Sequence, residues 1–108
     1  MFNQESEFEI TDKEFKEIIN LNELVVVDFF AEWCMPCLMM LPVVDEVASR
    51  LKNIKFVKLN IDDNHELASK HNVSSVPCLI VFKKGKEIHR ISGTLQDEEL
   101  EKKIKNCL

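Results

Sequence analysis

Val27-Asp28-Phe29-Phe30-Ala31-Glu32-Trp33-Cys34-Met35-Pro36-Cys37 is the stretch on which the reading of this chain turns. Leu24 to Phe30 is nearly continuous Val and Phe, the pattern of a central strand covered on both faces. The two cysteines follow at once, separated by two residues. Placed at the start of a helix, such a pair can close a small disulfide ring. The unpaired N–H groups there and the positive end of the helix dipole stabilise a thiolate. A thiolate is the attacking species in disulfide exchange, so the motif reads as a dithiol–disulfide redox site with Cys34 as nucleophile. The competing reading is half of a zinc site. Zinc commonly takes four ligands, but only one C-x-x-C is present, and His65, His71 and His89 show no ligand spacing.

Working outward, Phe8-Glu9-Ile10 reads as a short strand. Thr11 with Glu14 three residues later forms a capping box that opens a helix to about Asn20, with Phe15, Ile18 and Ile19 inward. The helix that begins at the cysteines runs to about Leu51, with Met40, Val44, Val47, Ala48 and Leu51 on one face. Pro36 falls in its first turn, where a missing N–H costs nothing, and Pro42 inside it, where a kink is expected. Ile54 to Ile61 reads as a strand, and Asn64 to Lys70 as a short helix opened by Asp62 or Asp63. Leu79 to Phe82 and Lys86 to Ile91 flank the Lys84-Gly85 turn as a hairpin. Asp97 to Cys107 closes the order βαβαβαββα, with Leu100, Ile104, Cys107 and Leu108 on one stripe. This order predicts an α/β fold, a mixed sheet with helices on both faces.

The chain has 108 residues, 45% hydrophobic and 31% charged, as expected of a single globular domain over 1–108 with its own core. The net charge of −5 argues against nucleic acid as a partner. No apolar run approaches bilayer length, so no membrane span is expected. The first residues lack both a basic start and an apolar run, so no secretory leader is visible and the simplest location is cytoplasmic.

The segment Val27 to Cys37 closely resembles the active-site segment of the thioredoxin family. The likeness continues through Pro42, Lys58-Leu59-Asn60-Ile61-Asp62, Val76-Pro77, Phe82-Lys83-Lys84-Gly85 and Gly93, in order and over nearly the whole chain. It implies the thioredoxin fold, a five-stranded mixed sheet flanked by four helices, and general protein disulfide reductase activity. It also implies a thioredoxin reductase and oxidised target proteins as partners, with no bound cofactor.

The site residues follow from residue chemistry and resemblance together. Cys37, one turn further into the helix and more buried, is expected to resolve the mixed disulfide. Asp28 shares a strand face with Leu24, Val26 and Phe30, where burial raises a carboxylate's pKa toward the range useful for proton transfer. The resemblance makes it the acceptor of the Cys37 proton, with Lys58 as its neighbour; a structural buried ion pair is the alternative. Pro77 marks a strand start. By resemblance the Val76–Pro77 bond is cis, and the Val76 backbone pairs with substrate as a short added strand. Trp33, Ala31, Val76, Pro77 and Gly93 would then form a shallow apolar contact surface.

Four departures from the family pattern stand out. Met35 occupies a common glycine position, Leu38 a common lysine position, Phe30 a common tryptophan position and Cys78 a common threonine position. Cys78 reads first as a small buried hydrophobe and second as a third redox thiol; with Cys34 and Cys37 it would also be the donor set of a metal or iron–sulfur module. Cys107 is expected to pack on its helix, and Met39 and Met40 in or near the core. The basic cluster Lys83, Lys84, Lys86, His89 and Arg90 reads as a solvated hairpin, or as a docking face for an acidic partner.

Overall fold

The computed structural model describes residues 8–108; the leader reading concerns residues outside that range. The elements are β1 (Phe8–Ile10), α1 (Asp12–Leu21), β2 (Leu24–Phe30), α2 (Met35–Arg50), β3 (Lys55–Asn60), α3 (His65–Lys70), β4 (Cys78–Lys83), β5 (Lys86–Ser92) and α4 (Asp97–Lys105). The strands form one sheet in the order β1-β3-β2-β4-β5. β1, β3 and β2 run parallel, and β4 and β5 are antiparallel to their neighbours. Among the described residues this is the expected five-stranded mixed sheet with four helices.

The continuous Val/Phe run of β2 is explained by its place at the centre of the sheet. Val25, Val27 and Phe29 enter a core with Phe15, Ile19, Val57, Leu59, Ile80 and Phe82 beneath α1 and α3. Val26 enters the opposite core with Met40, Val44, Val47, Leu79, Leu100 and Ile104 beneath α2 and α4. Both faces are covered, so alternation gives way to unbroken hydrophobicity.

Local chemistry sets the helix ends. In the expected capping box the Thr11 N–H donates to the Glu14 carboxylate at 2.9 Å, satisfying a donor at the start of α1. α3 opens at Asn64 rather than at Asp62 or Asp63. The Asn64 side chain is buried and spans two elements: its Oδ1 accepts from the Asp12 N–H at 2.9 Å, and its Nδ2 donates to the Asn60 carbonyl at 2.9 Å. The β4–β5 turn places Lys84 at φ 53° and Gly85 at φ 83°, the pair of positive φ values a tight hairpin needs. A side chain at Gly85 would also begin 2.7 Å from Asn20 Oδ1.

Several expectations are corrected. α4 ends at Lys105, so Leu108 lies off the helix and is half exposed, while Cys107 is only partly buried. Its sulfur lies 3.0 Å from the Lys103 carbonyl, and burial pushes its thiol pKa up. Met40 is a core residue, but Met39, one residue earlier and about 100° around the helix, is 64% exposed. Pro42 lies inside α2 (Met35–Arg50), as read from the sequence. The basic hairpin is solvated at Lys84, Lys86 and His89 as expected, but Arg90 is committed: it pairs with Glu87 at 2.9 Å and donates to the carbonyls of His71 and Asn72 at the end of α3.

Candidate active site

The end of β2 and the start of α2 build the site. Ala31 closes the strand, and its carbonyl accepts from the Cys34 N–H at 3.2 Å, turning the chain into the helix. Cys34 is the N-cap of α2 with an extended backbone (φ −90°, ψ 104°), and Pro36 lies in the first turn. At this position a side chain faces the orphan N–H groups of the helix. The Cys37 N–H points at Cys34 Sγ at 3.1 Å. Cys34 and Cys37 are joined through their sulfurs as a disulfide, with Cα atoms 5.2 Å apart. No acidic residue stands in the first turn of α2, so nothing there competes with a thiolate for the positive helix end.

Burial does not separate the two cysteines as expected: Cys34 and Cys37 are each 3% exposed. Position does separate them, since Cys34 is the cap and Cys37 lies one turn inward. Both pack with Phe30 and Ala31, flanked by Ile61 and Val76. Ala31 is fully buried, so it supports the cysteines from below and does not contribute to a contact surface.

The Val76–Pro77 bond is cis, and the Val76 carbonyl lies 3.7 Å from Cys34 Sγ. Pro77 immediately precedes β4, and its carbonyl accepts from the Gly93 N–H at 3.1 Å. Gly93 has φ 84°, and a side chain there would meet nothing within 4 Å. Trp33 is 71% exposed. Its ring is oriented by Nε1–H donating to Asp62 at 2.8 Å. Topology thus brings Trp33, Cys34, Cys37, Val76, Pro77 and Gly93 to one end of the sheet.

Asp28 is 2% exposed. The sheet register sets it beside Lys58 on β3 and Leu79 on β4, so the Asp28–Lys58 neighbourhood follows from strand pairing. Lys58 is half-buried, and its Nζ sits 5.5 Å over the Phe30 ring, a cation–π contact. The other buried polar side chains among the described residues, Asn60 and Asn64, are both tied to backbone around the β3–α3 connection. Asp28 is the ionisable member of the three.

Cys78 is 2% exposed and lies in the core beneath α1 and α3 with Phe29, Ile80 and Phe82. Desolvation pushes its thiol pKa up. Burial in this core is what the small-hydrophobe reading expects. Among the described residues no group of three or more His, Cys, Asp or Glu side chains is placed to hold a metal ion, which disfavours the metal or iron–sulfur alternative through Cys34, Cys37 and Cys78.

The sequence model of the thioredoxin family matches residues 6–106. The chain belongs to the thioredoxin family. It is 44% identical over 94 residues to a thioredoxin of Pyropia yezoensis, covering 85% of this chain and 88% of that one. Over 76 residues it is 49% identical to a thioredoxin of Chlamydia pneumoniae, covering 70% and 74%. Among solved structures, a thioredoxin of Plasmodium falciparum superposes with a TM-score of 0.86 at 35% identity, covering 93% of this chain and 97% of that one. Mitochondrial thioredoxin 3 of Saccharomyces cerevisiae in its oxidised form gives 0.85 at 32% identity, covering 94% and 95%. Thioredoxins are protein-disulfide oxidoreductases, and here the Cys34–Cys37 pair performs the dithiol–disulfide exchange.

One feature of the site was missed in the sequence. The sequence marks Leu38 only as a departure at a common lysine position of the family. The exposure of Leu38 together with Met35 and Met39 shows that it alters a surface. The signal was available in the absence of any charge from Met35 to Val44.

Proposed function

We propose that the chain works in the reducing direction, as a general protein disulfide reductase of the cytoplasm carrying electrons from a thioredoxin reductase to oxidised target proteins. The reducing direction rests on the likeness to thioredoxins, and the observation that carries Cys34 as the attacking sulfur is the Cys37 N–H aimed at Cys34 Sγ at the mouth of α2. That donor stabilises negative charge on Cys34 and makes it the nucleophile. Two further cysteines, Cys78 and Cys107, stay free of disulfides, which fits a reducing compartment. We read the chain as a single domain over 1–108, a reading supported among the described residues by two cores on either side of one sheet.

Substrate docks against Trp33, Pro77 and Gly93, with its backbone alongside Val76 as an added strand. The Cys34 thiolate attacks one sulfur of the substrate disulfide. The Cys34–substrate S–S bond forms, and the other substrate sulfur leaves as a thiolate that takes a proton from solvent. Cys37 then loses its proton to Asp28 by way of water. Lys58, next to Asp28 in the register, positions that carboxylate. The Cys37 thiolate attacks Cys34 Sγ, the Cys34–substrate S–S bond breaks, and the second substrate sulfur leaves as a thiolate that takes up a proton from solvent, to which Asp28 returns the proton it held. The substrate gains two electrons, and the protein is left with the Cys34–Cys37 disulfide.

Reduction of insulin disulfides by dithiothreitol tests this directly. Wild type accelerates precipitation of the free B chain, and Cys34→Ser does not. Cys37→Ser accumulates a mixed disulfide through Cys34. A wild-type protein that adds nothing to the rate of dithiothreitol alone would sink the proposal.

A further inference from the structure

The first ten residues of α2, Met35 to Val44, contain no charged side chain; the first is Asp45. Charge-free helical sequence is ordinary where a helix is buried all round, but this segment is not. Cys37, Met40 and Val44 face the core, while Met35, Leu38 and Met39 are 63%, 46% and 64% exposed. Those three positions follow i, i+3, i+4 and share one helical face, and exposed Pro36 and Pro42 extend it. The Leu38 N–H bonds to the Cys34 carbonyl at 3.2 Å, so the face starts at the reacting disulfide. Scattered exposed apolar residues need no explanation, but a contiguous group at a site of chemistry does.

The occupant is set by continuity with the redox site. Any substrate sulfur must reach bonding distance of Cys34 Sγ, so, beside the stretch paired along Val76, a residue flanking that half-cystine comes within reach of the neighbouring turn of α2. A charged flank laid on Met35, Leu38 and Met39 would lose water and find no partner, whereas an apolar flank would bury surface favourably. Beside Trp33 the site carries Glu32 and Asp62, both exposed and acidic. Acidic flanks are therefore disfavoured at both places.

We infer that this α2 face is a specificity element, with Leu38 at its centre, that selects protein disulfides whose half-cystines are flanked by uncharged apolar residues and discriminates against acidic flanks. The inference rests on the exchange activity and deepens it by naming a substrate class.

The test uses pre-reduced full-length protein and two peptide disulfides. One carries leucine and valine beside each half-cystine, the other glutamate. Second-order reduction rates are normalised to the rate of each peptide with dithiothreitol, which removes intrinsic reactivity. Wild type should favour the apolar peptide by about tenfold, the size of burying one aliphatic contact. Leu38→Lys should shrink that ratio to about threefold or less, and Leu38→Glu should widen it, two opposite movements that loss of packing alone would not produce. The ratio also cancels any change in the Cys34 thiolate. Equal normalised rates in wild type, or a ratio that both variants leave alone or move in one direction, would overturn the inference. A small aromatic disulfide serves as the separate control: wild type that reduces it while treating both peptides alike loses only the specificity claim. Failure to reduce any of the three would remove the exchange reading and this inference together.

Discussion

If Cys34 is activated by its place at the start of α2, then reducing the protein should expose a reactivity order among its cysteines that burial alone would not give. By exposure, Cys107 should react first, because it is only partly buried while Cys34, Cys37 and Cys78 are nearly covered. Electrostatics reverses this order. A hydrogen bond to a charged acceptor contributes about 1.5–3 kcal/mol, and the Cys37 N–H offers one to Cys34 Sγ at 3.1 Å. The helix N-terminus adds about 0.3–1 kcal/mol. The Val76 carbonyl at 3.7 Å works the other way, since it can accept from a thiol but not from a thiolate; a thiol is a weak donor, so this opposition is the smaller effect. Taking the lower ends, about 2 kcal/mol favours the thiolate, or about 30-fold in the thiolate-to-thiol ratio.

Nucleophilicity falls as a thiolate becomes more stable, and this returns nearly half of the logarithmic gain. About fivefold remains over an unperturbed thiol at pH 7. The comparison with Cys107 and Cys78 is larger, because burial pushes both of those thiols up. The assay is iodoacetamide labelling of the reduced protein with the site and rate of modification read by mass spectrometry. Cys34 should be modified at least about fivefold faster than Cys107 at pH 7. Lowering the pH from 8 to 6 should slow Cys107 steeply and Cys34 less. Labelling of Cys107 or Cys78 ahead of Cys34 at pH 7 would refute the argument, since access and electrostatics would then favour the wrong sulfur.

Asp28→Asn, which keeps the shape of the side chain but cannot take a proton, should slow release of the Cys34 mixed disulfide by about 10²-fold at neutral pH; rapid-quench analysis should show the deficit shrinking toward pH 9, and an unchanged rate at pH 7 would remove Asp28 from the mechanism. His71 packs edge-on against Phe15 and Phe82, at 5.1 and 5.8 Å between ring centroids. Desolvation lowers its pKa below the ordinary 6.5, with Glu87 opposing and Lys70 and Arg90 assisting. The unfolded chain then binds the proton more readily, so the stability this histidine contributes is full above about pH 6.5 and is lost as the pH falls from there through the lower folded value. Urea titrations at pH 7.5 and pH 5.5 should show that loss in wild type and less of it in His71→Gln. Leu100→Ala, truncating a fully buried side chain beneath α4, should cost about 2–5 kcal/mol by urea denaturation, while insulin reduction per folded molecule at 20 °C stays near wild type.

The fold was legible because its elements are locally consistent. The Val/Phe run of β2, the Thr11–Glu14 cap and the Lys84-Gly85 turn each act within a few residues of chain. What escaped the sequence depends on angle and on distant partners. Met39 and Met40 have the same chemistry, yet a 100° turn of helix sends one to solvent and the other to the core. Asn64 opens α3 because its side chain also reaches Asp12, 52 residues earlier, a contact no local pattern announces. Arg90 is withdrawn from the basic hairpin by carbonyls at the end of α3.

The site shows the same division from the other side. Cys34 and Cys37 could be named from spacing, but their near-equal burial means that exposure cannot assign their roles. The assignment comes from the helix: one sulfur sits at the helix start and accepts the Cys37 N–H, and the other sits a turn deeper. A substitution that leaves both cysteines in place but shifts the start of α2 should therefore change the chemistry more than one that alters their accessibility. Pro36, fixed in the first turn, is the natural lever. Its φ is already helical, and its missing N–H removes a competitor to the Cys37 donor without costing the helix a bond. The selectivity of this protein and the reactivity of its nucleophile thus arise from opposite faces of the same helical turns, the one from exposed Met35, Leu38 and Met39, the other from backbone aimed at Cys34.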